Sequence, residues 1–208
     1  MKLGKDEIYA ALEERHSPEI QRKLSEAKVA IAGLGGLGSN VAFALARIGV
    51  GHLHLIDFDR VDITNLNRQQ YFTKHIDMYK TDALRMELEE INPYLELVTD
   101  CVEVTPDNLV SLFREEDIIC EAFDNPDAKA MLVNQIAEQY PKKLLVAASG
   151  MAGYGESNEI HTRKITEHFY LCGDGKSELG YGHGLMAPRV AICAGHEANL
   201  ITELILSR

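Results

Sequence analysis

The sequence predicts an α/β fold: a Rossmann-like, doubly wound, mainly parallel sheet with helices on both faces, an extra hairpin and a C-terminal helix. Three observations carry this. The short apolar run "KVAIAG" (28–33) leads directly into a glycine-rich turn. That turn opens into "GLGSNVAFALARIG" (36–49), whose apolar residues recur at helical spacing. The same strand-then-helix order then repeats as far as residue 149. Strands alternating with helices fold as right-handed βαβ units, which cover a parallel sheet on both sides.

Each element has its own warrant. Residues 5–27 read as two short helices divided at Ser17-Pro18, the serine as N-cap and the proline at the first helical position. The helix after the glycine turn stops at Gly49, as a helix C-terminus does. "HLHLID" (52–57) alternates and reads as the second strand, and "KTDALRMELEEINP" (80–93) as an amphipathic helix ended by Asn92-Pro93. "LELVTDCVEV" (95–104) is a strand, followed by a helix capped at Thr105-Pro106 and running through Arg114. "DIICEAF" (117–123) and "KLLVAAS" (143–149) are strands flanking a helix capped at Asn125-Pro126 that reaches about Tyr140. Beyond Gly150 the order breaks. "NEIHTRKI" and "HFYL" pair as a hairpin, "CGDGKSELGYGHGLM" (172–186) reads as a mobile segment, and "APRVAICAGHEANLITELIL" closes the chain as a helix. One domain over 1–208 is expected: N-terminal helices 1–27, a nucleotide-binding core 28–150 and a crossover region 151–208.

Composition narrows the function. Acidic residues outnumber basic ones 32 to 21, a net charge of −11, which disfavours nucleic acid because such binding rests on Lys and Arg displacing counterions. No run approaches the ~18 apolar residues of a membrane span, and the N-terminus lacks a signal-peptide pattern. The four cysteines, Cys101, Cys120, Cys172 and Cys193, form no C-x-x-C pair. Neither a zinc knuckle nor a disulfide framework is expected, and a reducing cytoplasm is the natural setting.

The turn "GLGGLG" (33–38) follows a strand and opens a helix, so its glycines permit close approach of phosphate at a helix N-terminus. Asp57 lies nineteen residues past Gly38, at the end of the second strand, where an acid bonds ribose hydroxyls. These features specify a nucleotide but not which one. The next residues discriminate: beyond Asp57, "DFDRVDITNLNRQ" (57–69) holds further acids, asparagines and arginines that a nicotinamide enzyme does not need. Taken alone, Asn65–Arg68 could be a polar surface turn, Lys80 a solvated helix-start lysine, and Asp124-Asn125-Pro126 a helix cap.

Taken together, these residues resemble the signature of the ubiquitin-activating-enzyme superfamily, whose bacterial members include ThiF and MoeB. The matching pieces are Gly33–Gly38, Asp57-Phe58-Asp59-Arg60-Val61, Asn65-Leu66-Asn67-Arg68-Gln69, Lys80 and Asp124, in the family's order across most of residues 15–125. The resemblance implies an ATP-dependent adenylyltransferase that activates the C-terminal carboxylate of a small ubiquitin-like protein. It implies nucleotide contacts at Gly33, Gly35, Gly36, Gly38, Asp57, Asp59 and Asn65. Arg68 and Lys80 would supply positive charge, and Asp124 would be a magnesium ligand.

The resemblance also implies a homodimer in which an N-terminal arginine reaches into the partner's site. Arg15 in "RHSPE" stands at that place, with Arg22 as the fallback. The paired C-x-x-C zinc motifs of many relatives are missing, so the chain looks nearest to a compact, zinc-less ThiF branch. Its carrier would be ThiS-like, ending in Gly-Gly and serving thiamine thiazole synthesis. Cys172 is a candidate for a covalent sulfur-transfer step, and Tyr181, Leu185 and Met186 for a groove gripping the carrier's tail. "GDGKS" (173–177) fails as a phosphate-binding loop because Tyr170 stands where glycine is needed. The histidines at 161, 168, 183 and 196 lack metal-ligand spacing. The competing readings are an NAD-dependent oxidoreductase and an enzyme adenylating another carrier or a small-molecule carboxylate.

Overall fold

The computed structural model describes residues 3–178, 180 and 182–208. Helices α1 (Lys5–His16) and α2 (Pro18–Glu26) precede strand β1 (Lys28–Ala32). They divide where expected, with Ser17 Oγ accepting the Ile20 N–H and Pro18 at the first helical position. The chain then runs α3 (Gly36–Arg47), β2 (His52–Ile56), α4 (Lys80–Ile91), β3 (Glu96–Asp100), α5 (Pro106–Leu112), β4 (Ile118–Glu121), α6 (Pro126–Gln139) and β5 (Leu144–Ala148). The hairpin is β6 (His161–Lys164) with β7 (Phe169–Gly173), and α7 (Ala187–Leu206) closes the chain. Two expected elements are shorter than their apolar patterns: β3 ends at Asp100 rather than 104, and α5 at Leu112 rather than 114.

The seven strands lie in the order β3-β2-β1-β4-β5-β7-β6, all parallel except β6, which runs antiparallel to β7 at the edge. The chain builds outward from β1 to β3, then returns to the centre and builds outward through β4 and β5. Neighbouring loops after β1 and β4 therefore diverge, and a crevice opens at the carboxyl ends of the strands.

Alternate residues of each strand feed two cores. Val29, Ile31, Leu53, Leu55, Cys120 and Val146 pack beneath α3, α4 and α7. Ala30, Ala32, Ile56, Ile119 and Leu145 pack beneath α5 and α6. The second cover is smaller, and this decides the fate of β2. Its "HLHL" alternation would ordinarily mark a half-exposed strand, but both faces are buried. His54 Nδ1 meets Glu116 at 2.9 Å and its Nε2 meets Asp100 at 2.8 Å, so a polar cluster fills the gap that apolar cover leaves.

Candidate active site

The crevice at the carboxyl ends of β1, β2, β4 and β5 is a cleft of about 1210 Å³. Its lining includes Gly33, Gly35 and Gly36 of the glycine turn, together with Asp57, Asp59, Asn65, Arg68, Lys80 and Asp124. Residues spread over 92 positions of sequence thus share one cavity because the strands that carry them are neighbours.

The turn is locked from several sides. Gly33 has φ +93°, and a Cβ there would sit 2.8 Å from the Ala122 carbonyl oxygen, so only glycine fits between β1 and β4. The Leu34 N–H donates to Asp57 at 2.7 Å, and the Tyr71 hydroxyl donates to the Leu34 carbonyl at 2.8 Å. Burial pushes the Tyr71 phenol well above its ordinary range, aided by Asp57 and Asp59, so it stays a neutral donor. Gly38 departs from expectation. It does not line the cleft, and its missing side chain instead admits the Gly33 carbonyl oxygen, which a Cβ would overlap. Its role is helix-to-turn packing.

The charged groups form a graded set. Asp57 is buried and accepts N–H groups from Leu34 and Asp59. Burial raises its pKa, an effect that the Lys80 charge and the two N–H groups oppose. Lys80 is also buried, with Nζ 2.6 Å from Asp59 and 3.7 Å from Asp57. It is held there because the first residue of α4 donates its backbone N–H to the Asp59 carbonyl. Asp59 itself is about half exposed, so one of the lysine's partners faces water. Arg68 donates to Asn67 Oδ1 at 2.7 Å, and among the described residues no carboxylate pairs with it. Asn65 uses its side-chain oxygen to accept the Asp62 N–H, which leaves its NH₂ for another partner.

Asp124 is exposed and lines the cleft across from the glycine turn, in the connection from β4 to α6. Its neighbour Asn125 caps α6 by accepting the Asp127 and Ala128 N–H groups, so the cap and the cleft-facing carboxylate coexist. Beneath the turn, buried Glu121 pairs with Lys129 and accepts the Phe123 N–H. Sequence reasoning missed this support, although an acid inside an otherwise apolar strand was its signal. A magnesium ion takes few protein ligands and completes its octahedron with phosphate oxygens and water, so a single open carboxylate suits it.

Three other expectations fare differently. Arg15 is exposed on α1 and outside the cleft of its own chain. Cys172 is buried on β7 beside Thr162, and burial pushes its thiol up to about 12, so it is no accessible nucleophile. Leu185 lines the cleft, Met186 is exposed beside it, and Tyr181 lies outside the described residues.

A model of the ThiF family matches residues 9–208. The chain belongs to the ThiF family. Members of this family are ATP-dependent adenylyltransferases. The adenylyltransferase and sulfurtransferase MOCS3 of Culex quinquefasciatus is 35% identical over 137 residues, 65% of this chain and 31% of that protein. The adenylyltransferase and sulfurtransferase uba4 of Aspergillus clavatus is 37% identical over 137 residues, 65% of this chain and 27% of that protein. The ThiF-family chain thus matches under a third of the length of either curated relative. Among solved structures, the E. coli tRNA N6-threonylcarbamoyladenosine dehydratase TcdA with ATP superposes with a TM-score of 0.88 at 19% identity, covering 100% of this chain and 98% of that one. E. coli MccB with ATP gives a TM-score of 0.72 at 23% identity, covering 96% and 64%. These likenesses establish the shared fold.

Proposed function

We propose that this protein adenylates the C-terminal carboxylate of a small ThiS-like sulfur-carrier protein ending in Gly-Gly, a step toward the thiazole of thiamine. The observation that carries the reading is the gathering of Gly35, Asp57, Asn65, Arg68, Lys80 and Asp124 on one cleft. In the reaction a carboxylate oxygen bonds to the α-phosphorus of ATP. The bond from that phosphorus to the bridging oxygen breaks, and pyrophosphate leaves. A C-terminal carboxyl is already ionised at neutral pH, so no general base is required. Consistent with that, no histidine lines the cleft among the described residues.

What the reaction does require is positive charge, because an anion approaches a polyanion. Arg68 and Lys80 supply it, with the Asn65 NH₂ as a neutral donor. The backbone of Gly33–Gly36 lies against the phosphates at the start of α3, and Asp57 holds the ribose with Asp59 beside it. Asp124 would hold magnesium, which would supply positive charge to offset that on the departing pyrophosphate.

Arg15 completes the site only from another chain, so the proposal includes a homodimer in which each α1 serves the partner's cleft. The chain acts as one adenylation domain in the cytoplasm. A second reading keeps the chemistry but changes the acceptor to a small-molecule or tRNA-linked carboxylate. The near-complete overlap with TcdA favours keeping it, while the net charge of −11 weighs against RNA. An NAD-dependent oxidoreductase would leave Arg68, Lys80 and Asp124 without work. ATP–pyrophosphate exchange tests the set: exchange that depends on a Gly-Gly carrier supports the first reading, and exchange driven only by small acids or charged tRNA supports the second. Thermal stabilisation by NAD and not by ATP would overturn both.

A further inference from the structure

The cleft has a second end. The glycine turn after β1 and Asp57 after β2 occupy one side, and Asp124 after β4 stands in the middle. The remaining wall, at the carboxyl ends of β5 and β7, is built from Ser149, Gly150, Met151, Ala152 and Ser177. With the nucleotide on the first side, this wall is left to the incoming acid. It is loop rather than sheet, and it passes through glycines of positive φ at 150, 153 and 155 and a left-handed Glu156 at φ 30°. Backbone of that kind does not hold itself in place.

One buried ion pair holds it. Arg189, in the first turn of α7, and Asp174, just after β7, are 7% and 4% exposed at the side chain, and their charged atoms are 2.6 Å apart. The guanidinium also donates to the Gly155 carbonyl at 2.5 Å and to the Glu156 carbonyl at 3.2 Å. The other oxygen of Asp174 accepts the N–H groups of Lys176 and Ser177 at 2.7 and 2.8 Å. Ser177 Oγ then accepts the Ala152 N–H at 3.0 Å, and the Asp174 N–H reaches back to the Gly150 carbonyl at 2.9 Å. Two loops and a helix are therefore tied in one knot around a single guanidinium. These N–H groups and Arg189 hold the Asp174 carboxyl far below the usual carboxylate range, against the opposing effect of burial. The planar fork of arginine meets a carboxylate and two successive carbonyls at once.

We infer that the Arg189–Asp174 pair is a positioning latch, which fixes the 149–156 wall so that the acceptor carboxylate is aligned on the α-phosphate. Neither residue touches the reacting atoms. The inference rests on the adenylation reading and adds to it a residue pair outside the nucleotide motifs. A misplacement of about 1 Å in such a wall costs roughly a hundred-fold in rate without touching the chemistry.

The test uses Arg189→Lys and Asp174→Asn in the full chain, with a ThiS-type carrier ending in Gly-Gly as the probe. Arg189→Lys is expected to lower kcat/KM for the carrier by about a hundred-fold and to leave the ATP dissociation constant within about two-fold of wild type. Asp174→Asn keeps the acceptor for the two N–H groups and is expected to lose about ten-fold. Amide hydrogen exchange should quicken at Ala152, Lys176 and Ser177 and stay unchanged at Leu34 and Ser39. The latch is overturned if ATP affinity and carrier kcat/KM fall in step, or if loop exchange quickens with carrier kinetics intact. If Arg189→Lys does not fold, Asp174→Asn decides by the same two readouts. Wild-type protein silent toward carriers, small acids and charged tRNA alike would overturn the adenylation reading itself, an outcome distinct from a failed latch, in which wild-type activity is intact.

Discussion

The two ends of the cleft use charge in opposite ways. At the nucleotide end Arg68 has no carboxylate partner among the described residues, and Lys80 leans on an Asp59 that is about half exposed. At the far end Arg189 and Asp174 are enclosed and answer each other and the backbone around them. A surface ion pair is worth about 0–1 kcal/mol, whereas removing one partner of a buried pair costs about 3–5 kcal/mol; Lys80, buried but paired through the half-exposed Asp59, lies between the two. The first arrangement leaves cations that can exchange partners for a phosphate. The second holds a shape through its own internal bonds. Charge near a cleft is therefore read by what it already holds.

The contrast can be broken most strongly at Asp124. Asp124→Ala should lower pyrophosphate exchange by about 10²–10³-fold with an unchanged melting curve, because an exposed carboxylate with no hydrogen-bond or ion-pair partner among the described residues is lost. Exchange near the wild-type rate would remove Asp124 from the site.

The glycine turn sharpens the comparison by separating packing from binding. Gly38→Ala forces a Cβ into the Gly33 carbonyl and should destabilise the fold by about 3 kcal/mol or more, read as a shifted urea midpoint. A Cβ at Gly35 meets nothing nearer than the Gln69 amide at 3.9 Å. Gly35→Ala should stay within about 0.5 kcal/mol of wild-type stability while weakening ATP binding about ten-fold. Equal stability losses in the two variants would erase the distinction.

Arg15 gives a smaller but directional signal. Arg15→Ala and Asp124→Ala should each be inactive alone. After subunit exchange about half the dimers carry one intact site, so roughly a quarter of wild-type exchange should return. Proven subunit mixing with no recovery would place Arg15 in cis or outside the reaction.

The smallest effect belongs to the histidine on β2. Burial alone would lower the His54 pKa, but its bonds to Glu116 and Asp100 outweigh burial and raise it. A raised folded pKa adds stability that is complete below the unfolded value near 6.5 and lost as pH rises through the folded value. Glu116 is lowered through the same pairing, against the pull of its own burial, so its share is lost instead as pH falls through its folded pKa. Wild type should therefore lose stability above neutrality relative to His54→Leu, in urea midpoints taken from pH 6 to 9. Parallel profiles would show that the pair contributes nothing through titration.

How much of this was legible in the sequence follows from distance along the chain. Gly33–Gly36, Asp57, Asp59 and Asp124 follow the ends of predictable strands, and a parallel sheet brings those ends together, while Asn65, Arg68 and Lys80 lie on the connection from β2 to α4 and were found through the motif. The caps at Ser17-Pro18 and Asn125-Pro126 are local chemistry and form as expected. Gly38 looked like its neighbours because a motif does not record which glycine faces a phosphate and which faces a carbonyl. The latch was harder still. Segment 172–186 reads as mobile from its glycines, yet Asp174 and Ser177 are pinned by residues up to 25 positions away. A signal did exist: Arg189 falls on the buried stripe of α7 with Val190, Cys193 and Glu197, where a cation has no place unless something is waiting for it.

The sulfurs carry a different kind of information. Cys101 lies in the open just past β3, while Cys120 on β4, Cys172 on β7 and Cys193 on α7 are sealed between α7 and the sheet. An alkylating reagent reaches the first immediately and the other three only during the moments when α7 lifts from the sheet. When reclosing is faster than alkylation, the labelling rate of those three follows the open population. The fold thus contains its own clock: mass added at one sulfur starts it, and mass added at the other three counts the openings.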